Sequence, residues 1–69
     1  MNVYEFERGG KHYVLGYRSS YQPQPGRSGL DTLTHYRLRE RDTNELVGKG
    51  SVWSTEDSAV KAAIEDAFA

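Results

Sequence analysis

The chain has no cysteine among its 69 residues, so neither a disulfide framework nor a Cys-based zinc site can staple the fold. That leaves the redox compartment open, and the cytoplasm is the expected location. No apolar run approaches the ~20 residues that span a bilayer, so no membrane partner is expected. The first residues, Met1 to Glu5, carry neither the basic flank nor the apolar stretch of a signal peptide. An excess of one charge is also missing: nine Lys/Arg stand against ten Asp/Glu, for a net charge of −1. This excludes a general electrostatic pull toward nucleic acid or membrane. A single domain of this length buries only about 60% of its unfolded surface, so stability on the order of a few kcal/mol is expected.

The groups that carry catalysis are equally scarce. The two histidines, His12 and His35, have no carboxylate at an informative spacing, and a catalytic base needs a positioned partner. No His/Asp/Glu grouping has metal-ligand spacing. Gly48-Lys49-Gly50 lacks the longer glycine-to-lysine spacing of a phosphate loop. The expectation is a protein that is not an enzyme and has no cofactor and no metal.

What the chain does have is alternation. Val3 to Arg8 and Lys11 to Arg18 flank Gly9-Gly10, a pair able to take positive φ at both positions of a tight hairpin turn. Pairing Arg8 with Lys11 sets Phe6 opposite Tyr13 and Tyr4 opposite Leu15, with Tyr17 on the same side. Cross-strand pairs of this kind define a core face. The segment 19–33 has no usable period and contains Pro23, Pro25, Gly26 and Gly29, so it reads as a long loop between two hairpins. Such a loop is either a mobile linker or a recognition segment presenting Tyr21, Arg27 and Leu30.

Thr34 to Ser54 is the stretch around which the rest is organised. Tyr36 and Leu38 alternate with His35, Arg37, Arg39 and Arg41, as in a strand with one packed and one wet face. A turn at Asp42-Thr43-Asn44 follows. Pairing Glu40 with Leu46 puts Leu38 over Gly48 and Tyr36 over Gly50, where a large side chain covers a weak strand position. A slip of one residue would instead bring Val47 and Trp53 inward. Ser54 with Asp57 has the spacing of a capping box, and Val60, Ala63, Ile64, Ala67 and Phe68 form one helical stripe. Lys61, Glu65 and Asp66 point away from it.

These elements predict an α+β domain, a four-stranded antiparallel sheet of two hairpins covered on one face by a C-terminal helix. Residues 1–53 carry a net +2 and residues 54–69 a net −3, so the sheet is basic and the helix acidic. The uncovered face should show His35, Arg37, Arg39, Arg41 and Lys49, with Glu5 and Glu7 on the first hairpin. Trp53 closes the edge of the core or stands as an exposed anchor.

The run Tyr-Arg-Leu-Arg, an Asn turn, Val-Gly-Lys-Gly-Ser-Val-Trp-Ser-Thr-Glu-Asp-Ser-Ala and an Ala-rich helix resembles the YegP-like domain. It is also similar to the arm-site DNA-binding domain of tyrosine recombinases, which implies readout by Arg37, Arg39 and Lys49. The acidic balance and Glu5 and Glu7 on the same face depart from that pattern. By size, charge and lack of cysteine the chain is similar in kind to phage and mobile-element inhibitors such as anti-CRISPR proteins, which implies occupation of a surface on a host complex. The expected function is a small protein-binding module using Arg37, Arg39, Arg41, Lys49, His35, Tyr21, Arg27 and Trp53. The alternative is a nucleic-acid-binding module using the same basic face, since arginines at alternate positions span about 13 Å along a strand. A homodimer across the wet face, through Val14, Val47 and Trp53, is compatible with either.

Overall fold

A computed structural model describes residues 1–26 and 29–69, with the backbone alone at Leu30. Four strands, β1 (Asn2–Arg8), β2 (Lys11–Pro23), β3 (Leu30–Glu40) and β4 (Leu46–Ser54), are followed by a 3₁₀ turn (Glu56–Ser58) and one helix, α1 (Ala59–Ala67). The sheet is antiparallel with strands in chain order, and α1 packs on one face of it, an α+β architecture. No helix among the described residues is long and apolar enough to cross a membrane.

The first hairpin has the expected register, Arg8 with Lys11, Phe6 with Tyr13 and Tyr4 with Leu15. Gly9 and Gly10 turn it with φ of 60° and 81°, the left-handed region that a two-residue turn demands. At the β3–β4 turn, Asn44 takes φ 59° and its N–H bonds the Glu40 carbonyl at 2.8 Å.

Two sequence expectations are corrected here. The loop expected over 19–33 is mostly strand. Ser19 pairs with Thr34, Ser20 with Leu33, Tyr21 with Thr32, Gln22 with Asp31 and Pro23 with Leu30, so β2 and β3 form one long central hairpin. Prolines and glycines suggested a break, but Pro23 lies at the strand's end. The β1 pairing also stops at Tyr17, so from residue 18 onward β2 is an edge, where proline is tolerated. Arg27, offered as part of a recognition loop, lies outside the described residues, as does the side chain of Leu30. The β3–β4 register has Leu38 opposite Gly48 and Tyr36 opposite Gly50 as expected. A bulge after Leu38, however, pairs Arg39, not Glu40, with Leu46.

The core consists of Leu15, Leu38 and Ala63, all with no exposed surface, together with Tyr13, Tyr36 and Ala59. Val60, Ile64, Ala67 and Phe68 pack against it as the helical stripe requires. Thr34, fully buried, hydrogen-bonds Ser19 between side-chain oxygens at 2.7 Å. Tyr4, expected in the core, is 46% exposed. A nine-residue helix is only about 13 Å long, roughly the width of three strands, and its main contacts are with β4, β3 and β2. The far end of β1 is left uncovered.

The helix start also differs from a capping box. Ser54 donates to the Thr55 carbonyl, Thr55 and Ser58 share a hydroxyl–hydroxyl bond, and a 3₁₀ turn leads into α1. At the other end, Phe68 is locked in place. Its ring meets Tyr13 edge-on at 5.3 Å and Phe6 at 6.4 Å, and the Arg8 guanidinium stands 4.2 Å from its centre, a cation–π contact.

Asp66 does not simply face water. It accepts a hydrogen bond of 2.5 Å from the buried Tyr36 hydroxyl, which ties helix to sheet. Burial first, and then this bond to a carboxylate, push the Tyr36 phenol up to about 12. A phenol whose folded-state value is raised contributes stability that is complete below its ordinary value of about 10 and is lost as pH climbs through the folded value. Thermal melts of wild type and Tyr36→Phe should therefore differ most at neutral pH and converge between about pH 10 and 12. A gap that stays constant across that range would show that the bond does not link titration to folding.

Candidate functional site

The face of the sheet away from α1 is built by the odd residues of β3 and their cross-strand partners. Arg37 stands between Gly16 of β2 and Lys49 of β4, Arg39 between Val14 and Leu46, and His35 between Arg18 and Ser51. The period of two puts all of these on one side. Arg18, His35, Arg37 and Lys49 are exposed, and Arg39 is half-buried. Arg37 and Arg39 lie ~7 Å apart along the strand, while Arg37 and Lys49 are direct neighbours across it, an arrangement that opposes folding unless something anionic meets it.

The cations differ in how they are held. Arg39 donates to the Asn44 carbonyl at 3.1 Å, which anchors it over the β3–β4 turn. His35 shares a 2.6 Å hydrogen bond with Ser51 through Nδ1. Arg41 lies beyond the end of β3, and its guanidinium approaches Glu5 at 3.9 Å and Asp42 at 3.7 Å, so its charge is already answered. Glu7 contacts His12 at 3.3 Å. Among the described residues, Arg18, Arg37 and Lys49 have no carboxylate within ion-pair reach. The acids of the open face are thus engaged at the β1 edge, and the cations near the centre are not.

Apolar side chains border this basic group. Val3 is 63% exposed, Leu46 45% and Val47 39%, while Val14 is half-buried. Trp53 pairs with Leu33 on the same face, so it is not a core residue. Half-buried, it lines a recess of about 380 Å³ with Gln24, Asp31, Ser54 and Thr55. Among the described residues no three His, Asp or Glu side chains gather as metal ligands.

Tyr21, expected in the loop over 19–33, is instead in β2 on the helix side, and its hydroxyl donates to Glu56 of the 3₁₀ turn. That bond, with the charge of Glu56, raises the phenol above its ordinary value. The structure thus brings His35, Arg37, Arg39 and Lys49 together on one face, with Arg41 past the end of β3 against Glu5 and Asp42, Trp53 at its own recess on that face and Tyr21 on the helix side. It adds Arg18 and Gly16, which the sequence reading left out of the site. Both depend on the register in which β2 pairs with β3, which the local alternation of either strand does not set.

In comparisons with known protein families, curated proteins and solved structures, nothing matched this chain.

Proposed function

We propose that the chain is a non-enzymatic module that binds another protein through the open face of its sheet, with an acidic patch on the partner as the target. The observation that carries this reading is the mixture on that face: Arg37 and Lys49 side by side, with no ion-pair partner among the described residues, flanked by exposed Val3, Leu46 and Val47. Arginine among aliphatic side chains is typical of protein interfaces, since guanidinium groups pair bidentately with carboxylates while the aliphatic surface is removed from water. A small inhibitor that occupies a surface of a host complex, as anti-CRISPR proteins do, is the form of such a module that fits its size.

A second reading, nucleic-acid binding by the same face, is favoured by the separation of charge. Glu56, Asp57, Glu65 and Asp66 belong to the 3₁₀ turn and helix, on the opposite side of the sheet, and Glu5 and Glu7 already have basic neighbours. The exposed aliphatic border favours protein over phosphate backbone.

Affinity capture from host lysate with wild type and with Arg37→Glu/Lys49→Glu tests the first reading, beside a salt series against short duplex and single-stranded DNA and RNA. The expected result is a captured protein whose affinity falls at least ~100-fold in the double variant, about 2.7 kcal/mol. Capture that is unchanged in the variant overturns it. So does nucleic-acid binding that weakens steeply with salt and is lost in the variant, with no protein captured.

A further inference from the structure

Gly16 is a glycine in the middle of a strand that has no bulge there and no positive φ. The backbone does not need it, and a mid-strand glycine weakens a sheet. The Met1 side chain takes part of the space that the missing side chain leaves, and the rest is an open hollow. A recess of about 220 Å³ opens over Gly16, bordered by Met1, Arg18, His35 and Arg37. A Cβ at Gly16 would stand 3.3 Å from the Met1 sulfur and 4.0 Å from the Arg37 carbonyl.

The pairing of β2 with β3 explains why cationic groups surround this hollow. Arg37 lies directly across from Gly16, and one step along the same face Arg18 lies across from His35. Two guanidinium forks and an imidazole therefore border one glycine floor. The bond from His35 Nδ1 to Ser51 orients the ring and leaves Nε2 without a protein partner among the described residues. Among the described residues no carboxylate lines the hollow. The recess beside Trp53 is different, since Asp31 forms part of its wall. Arg39 and Lys49 have charge but do not line this recess.

We propose that the Gly16 recess seats a single oxyanion group, a carboxylate or a phosphate carried by the partner, held by Arg18 and Arg37 with His35 as a third donor. Planar guanidinium groups match both oxyanions through paired N–H donors. With no side chain at Gly16, the recess beside the Met1 thioether leaves room for the group between them. The identity of the carrier rests on the protein-binding reading; the seat itself does not.

The test is an amide and side-chain NMR titration of the intact protein with sodium phosphate and, separately, sodium acetate, against sodium chloride at matched ionic strength. Saturable shifts confined to Gly16, Arg18, His35 and Arg37, with a Kd on the order of millimolar, are expected for at least one oxyanion and not for chloride. Saturation by acetate as well as phosphate identifies an acidic side chain as the fitting group, and saturation by phosphate alone identifies a phosphorylated one. Gly16→Val, which fills the hollow with a good strand former, should abolish the saturable response while Arg37 and Arg18 remain. Arg18→Gln/Arg37→Gln, at two exposed positions, should abolish it with the fold undisturbed, and carries the test if the valine variant does not fold. Shifts that rise linearly, spread equally over Arg39 and Lys49, match those with chloride, or survive the substitutions overturn the proposal. A saturable site together with failed protein capture would sink the protein-binding reading alone; capture that depends on Arg37 and Lys49 without a saturable site would sink the seat alone.

Discussion

Leu38→Ala is expected to remove most of the stability of this domain. Leu38 has no exposed surface and lies in β3 between two neighbouring strands, opposite Leu15 on one side and Gly48 on the other. Removing a buried leucine side chain to its Cβ costs about 2–5 kcal/mol through lost transfer free energy and the cavity left behind. A cysteine-free core of this size supplies a net stability of only about 3–5 kcal/mol. The two numbers are comparable, so urea denaturation should show a midpoint reduced by more than half, or no folded baseline. Leu46→Ala, at a position 45% exposed, is the contrasting substitution and should lower the midpoint only slightly. A loss below about 1 kcal/mol at Leu38 would be hard to reconcile with complete burial and would mean the core lies elsewhere.

Gly48→Val is expected to displace the helix, although valine is the better strand former. A Cβ on Gly48 would already touch α1, at 3.4 Å from both the Cβ and the carbonyl oxygen of Ala67 and 3.5 Å from its Cα. The two methyls that valine adds would have to enter helix backbone, which cannot rotate away as a side chain can. Overpacking of this kind costs about 1–3 kcal/mol. The loss should appear as a lower denaturation midpoint and weaker helical circular dichroism, with α1 lifted from β4. Gly48→Val as stable as wild type would show that α1 does not seat on β4 at this point. Gly50 stands under the same constraint for another reason: its absent Cβ would lie 3.3 Å from the Tyr36 hydroxyl and 3.4 Å from an Asp66 carboxylate oxygen, within the tie between sheet and helix.

These two glycines show how a correct local reading can rest on an incomplete reason. Placing Tyr36 and Leu38 across from Gly50 and Gly48 predicted the register, because alternation and a turn of known length leave few pairings. The space above the glycines, however, is taken by Ala67 and Asp66 of the helix as well as by the β3 side chains, and helix placement is a tertiary result. Thr34 shows the same limit. A threonine carries no strong burial signal, yet it is fully buried because Ser19 arrives across the sheet to satisfy its hydroxyl.

The basic site divides in a similar way. Arg37, Arg39, Lys49 and His35 were legible as one face because three lie at alternate positions of one strand and Lys49 follows from the hairpin register. Arg41 fits the same alternation, but the strand ends before it and Glu5 and Asp42 approach its charge. Arg18 and Gly16 became part of the site only when β2 lay beside β3 in a register that sets them across from His35 and Arg37. That pairing joins residues distant in sequence, and its stability comes from the hydrogen-bonded ladder rather than from any local period.

The sequence by itself determined that four strands and one helix form, both short turns, most of the core face and the stripe of the helix, since these follow from periods of two and 3.6 and from residues that accept positive φ. Tertiary structure alone decided how far β2 and β3 run together, where the helix comes to rest and which cations are left without a partner. Those outcomes depend on which strands lie side by side and on the short reach of a nine-residue helix, quantities that no window of neighbouring residues contains.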